Sequence, residues 1–414
     1  MIFIYILLSL FFIYLSFKKY KKYINILSLY IFIWLLNVIL YEIKLVYYNS
    51  LTIKTWIILF LNILIFSIGC LFPKNKKIFL FRKININEKQ LYKYIVITSL
   101  VSSIAIIFNL FLLIDRYGWN LFSATTYIYG DNLNGVGVKT IPYLGSLSLL
   151  ALLLSSVYLI NFGFKKMLIC PYVLVLLDIL PTGSRGNLVL AIILTVIPIL
   201  FIKNDSLDKI INIKTIKKIM ISLCVFFAIF YTLFTYNRRP ALSSLEYASD
   251  TMITLESKIP VFYKTYVYFT SPIGVLNEYL KNPRYIFGIN SFSVERNFLN
   301  KMGINVKYEH TQPAYDIPIR TNVGTWLKDF YEDFTIVGMI IVIFIFGYIF
   351  DFLNENNKNN IYSQILFNFI GMLIYLSWFY FYLRQGNVTI IICLIILFGF
   401  LKSNFNQTIK SFRK

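Results

Sequence analysis

The stretch "YVLVLLDILPTGSRGNLVLAIILTVIPILF", residues 172–201, decides the fold class of this chain. Two apolar runs flank a short polar segment that holds Gly183, Arg185 and Gly186. Apart from Asp178, both runs lack charged residues, which is typical of helices that lie in lipid rather than in water. The polar segment between them predicts a turn that joins two membrane spans at one surface of a bilayer.

Composition extends this prediction to the whole chain. Of its 414 residues, 58% are hydrophobic and only 14% are charged, whereas about a quarter of a soluble domain is charged. We therefore expect an all-α polytopic membrane protein. Residues 1–16 have the apolar core of a signal peptide, but no basic residues precede them and no cleavage site follows, so we interpret them as the first span. Eleven spans are predicted, at residues 2–17, 24–41, 55–72, 94–114, 141–162, 167–180, 187–202, 219–235, 335–353, 362–383 and 388–401.

The net charge of +21 is distributed in short lysine clusters between the apolar runs. Such clusters follow the first, third, fifth and seventh predicted spans and recur in the C-terminal tail. Because Lys and Arg are enriched in cytoplasmic loops, we predict an outer N-terminus and a cytoplasmic C-terminus. This distribution argues against nucleic acid as a partner. The four cysteines lie inside apolar runs without metal-ligand spacing, and no nucleotide-binding loop is present, so we expect no cofactor and no metal.

One connection is much longer than the others. Residues 236–334 carry eleven Lys and Arg against ten Asp and Glu, with aromatic residues throughout. We predict an ordered, mostly helical extracytoplasmic loop there, between an N-terminal transmembrane bundle at 1–235 and C-terminal transmembrane helices with a basic tail at 335–414. The aromatic stretch 259–280 predicts an interfacial or re-entrant pair of helices.

A short pattern occurs twice where a predicted span begins at the outer surface. Arg185 stands in "SRGN", and Arg384 stands in "LRQGN". The N-terminus of a helix exposes unpaired N–H groups and partial positive charge. An arginine at that position, beside a glycine that allows close approach, suits an anionic oxygen ligand. Two such sites on one face would hold a pyrophosphate. The alternative interpretation is that each arginine anchors its helix at the lipid headgroups.

Four motifs make the chain resemble the bacterial oligosaccharide repeat-unit polymerases, also called O-antigen or capsule polymerases. They are "TGSRG" at 182–186, "LRQGN" at 383–387, "TNVGTWLKDFYEDFTIVG" at 321–338 and "SPIGVLNEYLKNPRYIFGINSF" at 271–292. The resemblance implies an all-helical glycosyltransferase of the GT-C type. It also implies that the chain joins repeat units carried on undecaprenyl pyrophosphate at the outer face of the inner membrane. A chain-length regulator protein is a further implied partner, besides membrane lipid.

That reaction needs groups that bind the leaving pyrophosphate, for which we select arginines because Arg–phosphate contacts are bidentate and charge-assisted. The candidates all lie at predicted outer span ends or in the long loop, and they are Arg185, Arg384, Arg238, Arg239 and Arg320.

The reaction also needs a group that orients or deprotonates the acceptor hydroxyl. His310 is the only histidine, and related O-antigen ligases use a histidine in an external loop. Asp333, where the chain re-enters the membrane, is the second catalytic candidate. The remaining acidic rivals are Glu309, Asp316, Asp329 and Glu332. An O-antigen-type ligase or a flippase for lipid-linked oligosaccharides are the alternative functions.

Overall fold

The computed structural model describes most of the chain. The described residues are 1–73, 84, 86–121, 124–125, 127–128, 131, 136–138, 141, 143–181, 185–201, 213–237, 245, 247–307, 312–356 and 360–411, with backbone alone at 213–216 and 400–411. Within them lie fourteen α-helices: α1 (Ile2–Tyr20), α2 (Ile26–Ile43), α3 (Ile53–Leu71), α4 (Glu88–Tyr117), α5 (Leu147–Phe162), α6 (Cys170–Ile179), α7 (Arg185–Phe201), α8 (Ile213–Asn237), α9 (Asp250–Lys258), α10 (Phe262–Tyr279), α11 (Ser293–Lys301), α12 (Trp326–Asn356), α13 (Ile361–Tyr375) and α14 (Gly386–Ser411). A hairpin of two-residue strands, β1 (Tyr315–Asp316) with β2 (Arg320–Thr321), precedes α12.

The chain is an all-α membrane protein by the length and apolarity of its helices. Six helices are long and apolar enough to cross a bilayer, namely α1 to α4, α8 and α12. Four shorter apolar helices coincide with four of the five remaining predicted spans. Their described apolar parts are Leu147–Phe162, Arg185–Phe201, Ile361–Tyr375 and Gly386–Gly399. The predicted span at 167–180 contains only the ten-residue α6 and a preceding 3₁₀ turn. Ten helical residues cover about 15 Å, half of a hydrocarbon core of about 30 Å, so the count of eleven stays a prediction.

Local sequence signals explain several helix starts. The Asn25 and Asn87 side chains accept backbone N–H bonds three residues ahead, and Ser28 and Gln90 reciprocate, which forms two capping boxes. Such caps satisfy N–H groups that the first turn of a helix leaves without partners.

The chain folds into two compact units. Unit 1 comprises Met1–Asn75, Arg239–Phe352 and Leu373–Gly386, and unit 2 comprises Lys76–Arg238, Leu353–Met372 and Asn387–Lys414. In unit 2, α5 is buried on all sides from Leu147 to Ile160, as expected of a uniformly apolar helix at the centre of a bundle. The division into three parts predicted from the sequence is based on which segments cross the membrane, not on which helices pack together. It stays a prediction.

In unit 1, helix α3 packs unusually closely on α12. A Cβ on Gly69 would lie 2.4 Å from the Phe344 carbonyl oxygen, and one on Gly347 would lie 2.5 Å from that of Phe66. The small glycine surfaces let the two backbones meet, as is common between helices in membranes. At the end of this contact, the buried Asp351 carboxylate binds the ammonium of Lys19.

Helix α12 is not continuous. Thr335 has φ 60° and ψ −172°, so the chain forms one helix over 326–334 and a second over 336–356. The sequence predicts a span from residue 335, and the second helix begins there. The preceding residues 326–334 belong to the long connection, which the sequence predicts to be mostly helical, and they are helical as well.

Two sequence predictions are wrong. The helix predicted over 362–383 ends at Tyr375, and the chain then runs through buried, non-helical residues to the 3₁₀ turn Tyr382–Arg384. This segment serves the start of α12, because the Ser377 carbonyl accepts the Trp326 N–H at 2.9 Å. The pair of helices predicted over 259–280 is one helix, α10, which accommodates Pro272 without ending.

Candidate functional site

Four charged residues lie together at the beginning of α12. Lys328, Asp329, Glu332 and Asp333 are all buried. Their spacing places them on one side of the short helix over 326–334, because residues three and four apart are neighbours on a helix surface. Buried ionisable groups in a membrane protein are costly and mark functional sites by default. With Arg384, they form what we call the charged cluster.

Arg384 enters the cluster from the 3₁₀ turn that precedes α14. Its guanidinium Nη1 donates to the Asn290 side-chain oxygen and lies 3.9 Å from the Asp329 carboxylate. Its backbone carbonyl accepts a hydrogen bond from the Ser293 hydroxyl at 2.9 Å. The side chain and the backbone are both held, which fixes the direction of a buried cation just before a helix start.

Asn290 connects the arginine to two carboxylates. While its oxygen accepts from Arg384, its amide nitrogen donates to Asp333 at 2.9 Å and to Glu332 at 3.0 Å. An amide has one acceptor and two donor hydrogens, so it can bridge a cation and anions without adding charge. Asn290 is therefore the central polar group of the cluster.

Asp329 and Glu332 are each held by more than one donor. The Gln312 amide donates to both Asp329 oxygens, at 2.7 and 2.8 Å, and Gln312 in turn accepts the Gly324 N–H at 3.0 Å. Lys328 donates to Glu332 at 2.7 Å and lies 3.3 Å from Asp329. Arg284 also donates to Glu332. Three cations thus face three carboxylates, and this balance lets the charges remain buried.

Asp333 and the helix break secure the loop over 286–291. One Asp333 oxygen accepts the Asn290 N–H at 2.9 Å, and the other accepts the Ser291 N–H at 2.6 Å. The backbone carbonyls of Glu332 and Asp333, which the break at Thr335 releases, accept the N–H groups of Ile286 and Gly288 at 3.0 and 3.4 Å. The break therefore converts a helix end into a docking point for this loop.

The structure places the predicted site residues unevenly. Arg384 and Asp333 meet in the charged cluster of unit 1, whereas Arg185 is the half-buried first residue of α7 in unit 2. Both arginines thus stand at helix starts, as the repeated pattern predicts, but the pairing of the two sites stays a prediction. Arg320 is exposed on β2. Outside the described residues lie His310, Arg238 and Arg239.

Of the acidic rivals, Asp329 and Glu332 belong to the cluster, Asp316 is exposed on β1, and Glu309 lies outside the described residues. In unit 2, the Asp178 carboxylate lies against Gly145. In the part of the chain that the structure describes, no group of three or more His, Cys, Asp or Glu side chains is arranged to hold a metal ion.

Sequence reasoning missed four members of this arrangement, namely Arg284, Asn290, Gln312 and Lys328. Three of them stand inside the two long motifs at 271–292 and 321–338, so the signal was present but was not resolved to residues. Asn290 and Gln312 carry no charge, and in a single sequence a buried bridging amide has the same appearance as a solvated one.

No family model, curated protein or solved structure matches this chain. The resemblance to repeat-unit polymerases therefore continues to rest on the quoted motifs and on the predicted topology.

Proposed function

We propose that this chain is an oligosaccharide repeat-unit polymerase of the bacterial inner membrane. At the outer face of the inner membrane, it transfers a growing glycan from undecaprenyl pyrophosphate to the free end of a new lipid-linked repeat unit. Its transmembrane helices adopt a GT-C-like arrangement, the connection over 236–334 is extracytoplasmic, and a chain-length regulator protein is a partner. No nucleotide is needed, since the lipid pyrophosphate is itself the activated donor.

One observation carries the proposal. A buried guanidinium, that of Arg384, lies immediately before a helix start and beside carboxylates, at the point where the apolar part of α12 begins. In the proposed arrangement the apolar part of α12 spans the lipid, so a cation at its beginning lies at the depth of the lipid phosphates. The helix start adds N–H groups and partial positive charge, and both favour an anionic oxygen.

The bonds that form and break in this transfer define the roles of the candidate residues. The acceptor hydroxyl oxygen bonds to the anomeric carbon of the donor sugar, the bond from that carbon to the pyrophosphate oxygen breaks, and the hydroxyl proton moves to a base. Arg384 and Arg185 stabilise the charge on the departing pyrophosphate. Arg238, Arg239 and Arg320 are the additional candidates for this role.

Between the two catalytic candidates, the contacts of Asp333 favour His310 as the proton acceptor. Both oxygens of the Asp333 carboxylate accept backbone N–H bonds from a loop that it anchors. The Asn290 side-chain amide donates to it as well, so three of its about four acceptor sites are occupied, whereas a base must offer a lone pair to the acceptor hydroxyl. We therefore assign Asp333 to positioning the loop and His310, two residues before Gln312 in the chain, to proton transfer.

The proposal is tested in cells by the length distribution of the surface glycan on a gel. Arg384→Ala and Arg185→Ala are expected to replace the ladder with single repeat units, and Arg384→Lys, which keeps charge but loses bidentate binding, is expected to leave short chains. Arg116→Ala is the matched control, because Arg116 forms an exposed ion pair with Asp131 at 3.3 Å. Immunoblots of the membrane fraction must show equal amounts of each variant.

Other outcomes identify the alternative functions. A ligase defect would leave full-length chains on the lipid carrier, without transfer to the final acceptor. A flippase defect would leave single lipid-linked units on the cytoplasmic side. Full-length ladders from both alanine variants would show that neither arginine binds the pyrophosphate.

A further inference from the structure

Three phenylalanines meet where the second helix of α12 begins. The Phe334 ring lies 5.5 Å from that of Phe287 and 6.4 Å from that of Phe292, centroid to centroid, and the latter two rings are 6.4 Å apart. Phe287 is nevertheless 71% exposed and Phe292 is 45% exposed. We call these three rings the aromatic trio. Large exposed apolar groups that touch one another mark a surface that is covered by something other than water.

The surface next to the trio identifies what covers it. Immediately after the break, Val337 is 64% exposed, and Ile341 and Ile345 continue the same stripe at intervals of four residues. This stripe belongs to a helix that is long and apolar enough to cross a membrane. An exposed apolar stripe on such a helix faces lipid chains. Phe334 lies before the break but contacts the second helix, since a Cβ on Gly338 would lie 2.2 Å from the Phe334 Cβ. It therefore connects this helix to Phe287 and Phe292.

Polar and basic groups accompany the trio. Arg296 donates to the backbone carbonyls of Phe287 and Lys307, so it ties the loop to the segment that follows α11. Lys301 and Lys307 are exposed nearby in the chain, where they suit lipid phosphates. Aromatic rings with adjacent basic groups are the composition of a membrane interface.

From this continuity we propose that residues 284–292, together with Phe334, form an interfacial anchor whose aromatic trio inserts among the lipid chains at the end of the α12 span. The occupant of this surface is the bilayer itself. This proposal is independent of the proposed polymerase function. The same loop also supplies Asn290 and Ser291 to the charged cluster. The anchor therefore fixes the cluster at the depth of the lipid headgroups.

The test measures the depth of a spin label on the full-length protein in bilayers of phosphatidylethanolamine and phosphatidylglycerol. Labels are placed singly at Phe287→Cys and Phe292→Cys, with Val337→Cys as the lipid-facing reference and Lys258→Cys, exposed on polar α9, as the water-facing reference. The background carries Cys170→Ser, Cys224→Ser and Cys393→Ser, while Cys70 is buried and stays.

If the trio inserts into lipid, oxygen collides with the labels at 287 and 292 more often than a water-soluble nickel chelate does. The same preference for oxygen is expected at the lipid-facing reference, Val337→Cys. Collision with the chelate at the rate found for Lys258 would overturn the proposal. So would protection from both reagents, since that would show a protein contact rather than lipid. The two loop positions are labelled independently, so a folding defect in one variant leaves the other to decide.

Discussion

At the scale of single residues, the charged cluster depends on one uncharged side chain. Asn290→Ala removes the acceptor of Arg384 and a donor to Asp333 and Glu332 while it leaves those charges buried. Each buried group that loses its partner costs about 1–3 kcal/mol, so we expect a clear loss of unfolding free energy in detergent. Tryptophan fluorescence during denaturation measures it. The control is Asn300→Ala on the exposed side of α11, which is expected to be neutral.

A second residue-scale prediction separates positioning from catalysis. Asp333→Asn replaces a carboxylate that accepts backbone N–H bonds by a group with one acceptor and one donor, so one N–H loses its partner. We expect lower thermal stability and, through the displaced loop, shorter glycan chains. His310→Ala is expected to abolish chain extension while the melting temperature stays unchanged. A stable Asp333→Asn variant with no polymer would instead make Asp333 the base.

These residues also show how far a single sequence leads. Arg384 could be predicted because an arginine and a glycine at the end of an apolar run are conspicuous against lipid-soluble sequence. Asn290 and Gln312 could not, because their roles depend on contacts with residues 94 and 17 positions away. Charge is visible in a sequence, whereas the neutral groups that position charge become visible only in three dimensions.

At the scale of elements, the break in α12 is the feature with the most direct consequences. A β-branched residue at φ 60° costs about 1–3 kcal/mol, and glycine removes that cost for an entropic penalty of about 0.5–1 kcal/mol. Thr335→Gly should therefore raise the unfolding free energy by about 1 kcal/mol. Gly338→Ala should lower it, because the new Cβ would lie 2.2 Å from the Phe334 Cβ.

The same two substitutions decide against a continuous helix. In an uninterrupted helix, Thr335→Gly would be destabilising and Gly338→Ala would be stabilising by about 1 kcal/mol, since alanine is the better helix former. The two signs are thus opposite for a broken and an unbroken α12. Melting curves of both variants in detergent, compared with the unsubstituted protein, provide the measurement.

Element ends were predicted well where a charge or a glycine marks them and poorly where they depend on packing. The start of the apolar helix, which lies at 336 in the structure directly after Glu332, Asp333 and the break at Thr335, was predicted to within one residue. The end of α13 was not, because the run "SWFYFYL" after Tyr375 is as apolar as a helix interior. Its backbone leaves the helix in order to cap the start of α12, and that contact crosses about fifty residues of sequence.

At the scale of the whole molecule, hydropathy predicts the membrane class but does not predict the two units. Each unit is assembled from three separate stretches of the chain, so no shift in composition marks its boundaries. A hydropathy profile records which residues prefer lipid, and that preference is common to both units. The division becomes visible only in the folded chain, where helices distant in sequence pack together.

The orientation of the chain and the number of its spans can be tested together. Four predicted spans separate Lys22 from Lys166, and three separate Lys166 from Lys258, so the first two positions should share a side and the third should not. Cysteines at these exposed sites, in the same background of three Cys→Ser substitutions, are labelled with an impermeant maleimide in spheroplasts. We expect reaction at Lys258→Cys alone, and at Lys22→Cys and Lys166→Cys only after lysis. If Lys166→Cys and Lys258→Cys react together from the same side, the ten-residue α6 does not complete a crossing. In that case the polarity of α7 in the membrane reverses relative to the N-terminal spans. Arg185 and Arg384, which four predicted spans separate, would still share a side, but it would be the side of Lys166 and not the outer face at which the polymerase reaction is proposed.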